Sequence, residues 1–117
     1  MNNKQIKIIM LGNAKEEFVK LNEIVGEQIK KNIKNSQEIQ LVNSIKQKIE
    51  LLKSNPFYGD NIPKRLIPSD MRVPNLWRLE LPNFWRMLYM IKGDEVEIIC
   101  FVLEIFNHKK YDKFFGY

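Results

Sequence analysis

Apolar and polar residues alternate at the start of the chain and then change to a helical period. Over residues 4–11 apolar side chains recur at every second position from residue 6, which predicts a short strand. Asn13 with Glu16 three residues later is typical of the beginning of a helix. Asn35 with Glu38 repeats that pattern and predicts a second helix. Two apolar stripes at helical spacing follow, and they predict an antiparallel pair of helices. The stripes are Phe18, Leu21, Val25, Ile29 and Ile33 in the first helix, and Val42, Ile45, Ile49 and Leu52 in the second.

The middle of the chain shows neither period. Residues 55–75 contain four of the five prolines, so we expect a long irregular connection that begins at Asn55, where the second helix ends before a proline. Long loops in compact domains are often functional, and this one carries Lys64, Arg65 and Arg72. An exposed basic loop is nonetheless more often only solvated.

The second half of the chain has the pattern of strands. Residues 76–81 alternate, residues 84–91 form the next apolar stretch, and a turn with Gly93 leads into a third. The third stretch, residues 96–105, is apolar on both faces, as expected of a strand covered on both sides. Residues 112–115 fit either a short helix or an extended tail. The order of elements predicts one α+β domain over the whole chain, with the helical pair packed on a mainly antiparallel four-stranded sheet.

Composition narrows the classes of partner and site. The 117 residues carry a net charge of +5, which favours a nucleic acid or an acidic protein as partner, although basic surfaces also serve solubility. A single cysteine, Cys100, excludes an intrachain disulfide, and we expect a buried thiol in a reducing compartment. Paired Cys and His residues at zinc-binding spacing are absent, as are a phosphate-binding glycine loop, a membrane-spanning run and a signal peptide. We therefore expect a soluble cytoplasmic protein without a metal or cofactor.

An arginine interrupts the second of these strands. Arg86 must place its guanidinium at an edge, in a cleft or against a carboxylate, and it could clamp a phosphate or pair with Glu80. A three-residue turn, Pro82 to Phe84, would place Glu80 opposite Arg86, whereas a two-residue turn would place Leu79 there. Arg78 shares the polar side of its strand with Glu80. Alternation alone explains both, but on a concave site Glu80 could act as a base and Arg78 as a phosphate contact.

The only histidine follows the last strand and precedes two lysines and a tyrosine. His108 titrates near neutral pH (ordinary pKa ~6.5), so it could transfer protons, although a lone histidine is more often an exposed turn residue without a role. Lys109, Lys110 and Tyr111 interleave cations with an aromatic ring, which suits single-stranded nucleic acid. Packing of Tyr111 and Phe114 in the core beside solvated lysines explains the same pattern.

Together these features resemble the RelE/ParE superfamily of toxin–antitoxin toxins. Members carry an arginine-containing strand that ends in tyrosine, an acidic turn, an apolar strand, and a histidine followed by basic residues near the C-terminus. The corresponding stretches here are Trp85–Tyr89, Asp94–Glu95 and His108–Tyr111. The resemblance covers most of the chain and implies the RelE-like fold.

The resemblance also implies a function. RelE-like members are metal-independent endoribonucleases that cut mRNA in the ribosomal A site, whereas ParE-like members share the fold and inhibit DNA gyrase. We therefore expect a ribosome-dependent mRNA-cleaving toxin with a cognate antitoxin. The alternatives are a ParE-like gyrase inhibitor and an inactive binding protein of the same fold.

Particular residues take roles from the resemblance. Arg86 matches the strand arginine that binds the scissile phosphate, and His108 falls where the family has a histidine or an arginine. Tyr111 or Phe114 falls near the family's C-terminal tyrosine. The expected catalytic set is Arg86, His108, Tyr111 and Glu80, and the expected RNA contacts are Arg78, Lys109, Lys110, Lys64 and Arg65.

Overall fold

The computed structural model describes residues 4–94 and 97–116. In chain order the elements are β1 (Gln5–Met10), α1 (Gly12–Lys30), α2 (Gln37–Ser54), β2 (Asp60–Asn61), β3 (Trp77–Glu80), β4 (Arg86–Gly93), β5 (Glu97–Phe106) and α3 (His108–Phe115). Short 3-10 turns occupy Lys64–Leu66 and Pro82–Phe84. The acidic turn residue Glu95 and the expected strand start at Val96 lie outside the described residues.

The strands form one sheet in the order β1-β5-β4-β3-β2. β1 pairs with β5 in parallel, and the other neighbours pair antiparallel, so β5 is flanked on both sides as its apolar pattern predicts. Over the described residues the sheet has five strands rather than the expected four. The additional strand, Asp60–Asn61, is polar and only two residues long, so it carries no period that the sequence could reveal.

The helical hairpin of α1 and α2 covers one face of the sheet. The apolar stripe of α2 and the first three residues of the α1 stripe pack on the inward residues of β1, β3, β4 and β5, as the helical spacing predicts. The last two residues of the predicted α1 stripe do not: Ile29 is exposed, and Ile33 is exposed beyond the end of α1 at Lys30. Cys100 is fully buried in this core, and burial raises the pKa of its thiol to about 11. The buried members of the core are Ala14, Leu21, Leu41, Val42, Ile45, Leu52, Leu79, Leu81, Met87, Tyr89, Cys100, Val102 and Ile105.

A second, smaller core lies on the opposite face, which we call the α3 face. Helix α3 and the long loop pack there on side chains that β4 and β5 direct away from the hairpin. Its buried members are Ile62, Leu76, Leu88, Phe106 and Tyr111. The long loop is therefore packed against the sheet through apolar residues, although its lysines and arginines are exposed.

Two helix beginnings differ from the predicted ones. Helix α1 begins at Gly12, and the side chain of Asn13 does not cap it; instead Asn13 Oδ1 accepts a hydrogen bond from Ile105 N at 3.0 Å. The cap of α2 is Ser36 rather than Asn35, and its Oγ accepts a hydrogen bond from the Ile39 amide at 3.0 Å. Asn13 thus ties the start of α1 to β5.

Helix α3 begins four residues earlier than the predicted range 112–115. Asn107 caps it, because its Oδ1 accepts a hydrogen bond from the Lys110 amide at 2.9 Å. Gly116 ends it in the left-handed conformation, with φ of 77°. His108 is therefore the first residue of a helix rather than part of a turn. Within the described residues, no helix has both the length and the apolar character needed to cross a bilayer.

Candidate functional site

The β3–β4 connection places Glu80 directly opposite Arg86. The two residues are partners in the antiparallel register, and Arg86 Nε lies 3.9 Å from Glu80 Oε1. The Pro82–Phe84 turn sets this register, so the three-residue alternative is confirmed and the two-residue alternative is wrong. At 3.9 Å and with the Glu80 side chain 66% exposed, the ion pair is weak and leaves the carboxylate accessible.

Arg86 projects from β4 onto the α3 face. Its Nη1 donates a hydrogen bond to the Trp85 carbonyl oxygen at 3.2 Å, and its Cζ lies 5.5 Å from the centroid of the Tyr111 ring. A guanidinium at this distance over an aromatic face is held by cation–π attraction. The side chain is 18% exposed, so the guanidinium is oriented by the protein and still reaches the surface.

Tyr111 is fixed from its other end by Arg78. Arg78 Nη1 donates a hydrogen bond to the Tyr111 hydroxyl oxygen at 2.9 Å, and its Nη2 lies 3.4 Å from Asp60 Oδ2. The hydrogen bond with Tyr111 raises the pKa of Arg78, while burial acts in the opposite direction. Tyr111 is only 6% exposed and its ring contacts Phe106. This geometry favours a scaffold role for both residues, and the catalytic role of the Tyr111 hydroxyl stays a prediction.

His108 stands exposed at the beginning of α3. Its Nδ1 lies 3.5 Å from Asp112 Oδ2, one helical turn further along, and its side chain is 56% exposed. The ring centroid of Phe84 lies 6.2 Å from the imidazole ring. The imidazole therefore contacts a carboxylate and an aromatic ring and remains open to solvent.

The fold brings Arg86 and His108 to the same end of the sheet. Arg86 pairs with Phe106, and His108 follows Phe106 by two residues. Tyr111 lies under the Arg86 guanidinium and three residues from His108, so it occupies a neighbouring position on α3. We call the surface formed by Glu80, Phe84, Arg86 and His108 the Arg86–His108 surface. The Arg86–His108 surface is open to solvent, because the side chains of Glu80 and His108 are more than half exposed.

Not all of the basic residues that were predicted to contact RNA lie near the Arg86–His108 surface. Lys109 is exposed on α3, whereas Lys110 Nζ points toward α1 and lies 4.0 Å from Glu17 Oε1. Lys64 and Arg65 are exposed beyond the end of β3 that lies farther from Glu80. Asp60 in β2 pairs with Arg78, and from there the chain continues past Trp77, away from Glu80. Leu76 and Glu80 are four positions apart along the strand, a span of about 13 Å. A role for Lys64 and Arg65 in RNA contact therefore needs a ligand that extends along the sheet.

Phe84 is a site residue that the sequence did not reveal. Its residue pattern begins an apolar strand, and only the three-residue alternative put it in the turn; it lies in the Pro82–Phe84 turn with φ of 63°, next to Asn83 with φ of 59°. Its side chain is 71% exposed beside His108. A bulky residue with positive φ is strained, and strain of this kind clusters at functional sites.

Glu104 is a second residue that the sequence pattern did not identify. A bulge at Leu103 leaves Glu104 opposite Leu88, on the α3 face, where burial raises the pKa of its carboxyl. Among the described residues its carboxylate has no ion pair or hydrogen bond. An acidic residue inside an apolar strand is a sequence signal of a special position. The sheet face that Glu104 occupies depends on the bulge, which the sequence pattern does not show. Over residues 4–94 and 97–116, no three His, Cys, Asp or Glu side chains are grouped as a metal site requires.

Comparison with known proteins finds a similar solved structure. The structure of a YoeB/ParE toxin from Agrobacterium tumefaciens is similar over 87% of this chain and 98% of that chain, with a TM-score of 0.58 and 16% sequence identity. No protein-family model matches the sequence, and no curated protein matches it. At this identity the likeness shows the fold, so the predicted α+β fold of the RelE/ParE type is confirmed.

Proposed function

We propose that this chain, which has the fold of the RelE/ParE toxins, is the toxin of a toxin–antitoxin pair and cleaves mRNA on the ribosome without a metal. The observation that supports cleavage most is the Arg86–His108 surface, where an oriented guanidinium and an exposed imidazole share one end of the sheet. A surface that only bound its target would need no titrating group beside the arginine.

The chemistry is a transfer of the RNA phosphate within one strand. A base removes the proton of a ribose 2′-OH, the 2′-oxygen attacks the adjacent phosphorus, and the bond to the 5′-oxygen breaks as that oxygen is protonated. The products are a 2′,3′-cyclic phosphate and a free 5′-OH. His108 transfers one of the two protons, and general acid–base help of this kind contributes about 100- to 10,000-fold.

Arg86 and Glu80 complete the proposed reaction. The Arg86 guanidinium binds the phosphate and stabilises the charge that grows on its oxygens. The Glu80 carboxylate, 3.9 Å from Arg86 Nε and largely exposed, takes the second proton-transfer role. Its ion pair with Arg86 is weak enough for an RNA phosphate to replace it.

Phe84 and Lys109 are the proposed RNA contacts beside the reacting phosphate. An exposed aromatic ring next to His108 offers a base a surface for stacking, which contributes about 1–3 kcal/mol per base. Lys109 is exposed on α3 and adds a cation near the RNA backbone. The antitoxin is proposed to be a protein with an acidic segment that covers this basic surface, consistent with the net charge of +5.

The contacts that Arg86 already makes within the protein favour the two alternatives without cleavage. Its guanidinium already contacts Tyr111, Glu80 and the Trp85 carbonyl, as an arginine with a purely structural role would. A ParE-like toxin that inhibits DNA gyrase, or an inactive binding protein, would need no more than this.

Two assays on the same purified protein separate these functions. The first follows the 5′ ends of mRNA on translating ribosomes, and the second follows DNA supercoiling by gyrase. We expect cleavage of mRNA and no loss of supercoiling. The cleavage should persist when a chelator removes metal ions and polyamines keep the ribosomes assembled. Loss of supercoiling without mRNA cleavage would transfer the assignment to the gyrase inhibitor. Absence of both effects would leave a binding protein.

A further inference from the structure

His108 and Asp112 lie one turn apart on α3, with their side chains next to each other. The Nδ1 atom of His108 is 3.5 Å from Asp112 Oδ2. Side chains four positions apart on a helix lie on the same side of it. The helix His108–Phe115 therefore places a carboxylate beside one of the two nitrogens of the imidazole ring.

The Asp112 carboxylate forms no other ion pair. Among the described residues, His108 is the one side chain that can carry a positive charge within 4.0 Å of it. Lys110, on the same helix, is directed toward α1, where its Nζ lies 4.0 Å from Glu17 Oε1. The lysines of α3 therefore do not neutralise Asp112, and its charge acts on the imidazole.

Helix α3 gains no stability from an aspartate at this position. Asp112 lies in the last turn of the helix, where its negative charge is close to the negative end of the helix dipole. Aspartate is also among the weaker helix formers. Because alanine would favour the helix more, the secondary structure does not explain the carboxylate, whereas its contact with His108 does.

A carboxylate beside Nδ1 determines where neutral His108 carries its proton. A neutral imidazole has one N–H group and one nitrogen with a free lone pair, and the partner of one nitrogen sets the role of the other. An ionised carboxylate can only accept, so Asp112 favours the proton on Nδ1. The lone pair is then on Nε2, in a side chain that is 56% exposed to solvent.

We propose that Asp112 is a positioning residue for the cleavage reaction, because it keeps a proton on His108 Nδ1 and presents Nε2 as the atom that transfers a proton. The role in cleavage rests on the proposed function, whereas the position of the proton does not. As a base, Nε2 takes the proton of the ribose 2′-OH. As an acid, the imidazolium gives its Nε2 proton to the departing 5′-oxygen. In both directions the Nδ1 proton stays beside Asp112, and Glu80 makes the other transfer.

NMR on the full chain tests the position of the proton directly, because the sequence contains one histidine. Long-range proton–nitrogen spectra distinguish a ring nitrogen that carries a proton from one that does not, at about pH 9, where a histidine side chain is neutral. We expect the wild type to carry the proton on Nδ1 and Asp112→Ala to lose that preference. Asp112→Glu keeps the carboxylate and should keep the preference.

Cleavage of mRNA on translating ribosomes connects the proton to the reaction. We expect Asp112→Ala to cleave about three- to tenfold more slowly, as loss of an exposed charge pair predicts. Its binding of 2′-O-methylated mRNA on the ribosome should be unchanged or tighter, because a negative charge near the RNA is removed. Asp112→Glu should cleave within about threefold of the wild-type rate. Asp70→Ala removes an exposed carboxylate from the long loop and is the matched control.

Urea denaturation separates positioning from folding. At about pH 9 the neutral imidazole forms no ion pair, so Asp112→Ala should unfold at the same urea concentration as the wild type or at a higher one, because alanine favours the helix. Slower cleavage by a protein of equal stability cannot come from misfolding.

Several results would overturn the proposal. One is the same nitrogen spectrum in the wild type and Asp112→Ala, and another is a wild type that carries its proton on Nε2. Cleavage at the wild-type rate by folded Asp112→Ala, or equal slowing by Asp70→Ala, would also overturn it. Failure of the proposed function gives a different result, since the wild type itself would then cleave no mRNA. That result would remove Asp112 from any reaction, while the spectra would still decide which nitrogen carries the proton.

Discussion

Arg78 and Tyr111 join the third strand to the last helix through one hydrogen bond of 2.9 Å, from Arg78 Nη1 to the Tyr111 hydroxyl oxygen. The residues are 33 positions apart in the chain. Tyr111 also lies under the Arg86 guanidinium, so this hydrogen bond positions the ring that orients Arg86. This contact and the apolar packing of α3 on Phe106 together hold the helix that carries His108 on the sheet.

Tyr111→Phe separates the scaffold role from the catalytic role. The substitution removes an acceptor from a charged donor, and we expect a loss of about 1.5–3 kcal/mol in the free energy of unfolding. Urea denaturation measures this loss, with Tyr58→Phe on a half-exposed tyrosine as control. Unchanged stability together with cleavage slowed about 100-fold would instead assign the hydroxyl to catalysis.

Gly59 and Gly26 should respond to alanine in opposite directions. A Cβ on Gly59 would lie 2.7 Å from the Arg78 carbonyl oxygen and 2.8 Å from Tyr89 Oη. That hydroxyl accepts a hydrogen bond from the Gly59 amide and donates one to the Pro56 carbonyl, at 3.0 and 2.9 Å. We expect Gly59→Ala to lose about 1–3 kcal/mol of stability through this clash, whereas Gly26→Ala should gain, because a Cβ on Gly26 in the middle of α1 would meet nothing within 4 Å. Urea denaturation compares the two, and equal midpoints would contradict the geometry.

Glu104→Gln should be more stable than the wild type at neutral pH. Because the pKa of Glu104 is higher in the folded chain, the unfolded chain releases that proton more readily, and ionisation favours unfolding. The contribution of Glu104 to the stability of the wild type therefore falls as pH rises above about 4.3, the ordinary pKa of glutamate. The advantage of the variant should vanish below that pH. Thermal melts from pH 3.5 to 8 measure the difference, with the exposed Glu50→Gln as control, and an advantage independent of pH would contradict the cause.

Phe84→Gly should raise stability and weaken RNA binding together. Glycine accepts the φ of 63° without strain, so we expect a gain of about 1 kcal/mol, and little buried surface is lost because Phe84 is 71% exposed. Loss of a stacking ring should weaken binding of 2′-O-methylated mRNA to the toxin–ribosome complex about fivefold or more. Phe84→Tyr keeps the ring and should bind as the wild type does. Unchanged binding by Phe84→Gly would remove Phe84 from the RNA contacts.

Local patterns predicted the fold and one contact of the candidate site. The helical stripes and the strand alternation each depend on neighbours within a few residues, so the hairpin and the meander followed from the sequence. The pairing of Glu80 with Arg86 was also local, because a three-residue turn alone sets that register. The side of the sheet that Arg86 shares with Glu80 was therefore predictable, whereas the helix that begins at His108 was not.

Long-range contacts account for the features that were missed. Asn13 has the spacing of a helix cap, yet its side chain bonds to Ile105, 92 residues away. Glu104 reaches the α3 face through a bulge that alternation does not contain. The positive φ of Phe84 follows from closing the β3–β4 turn, and aromatic residues ordinarily favour strands. In each case a partner distant in sequence, or the closure of a turn, decided the outcome.

One measurement tests most directly whether Arg86 and His108 act on one phosphate. It is the rate of mRNA cleavage on translating ribosomes by the variants Arg86→Ala, His108→Ala and the double variant. We expect each single variant to cleave about 100-fold more slowly or worse, and the double variant to lose less than the product of the two. Urea midpoints and Lys64→Ala provide the controls for folding and for a distant cation. Folded single variants that cleave at the wild-type rate would contradict the assignment of Arg86 and His108 to the reaction.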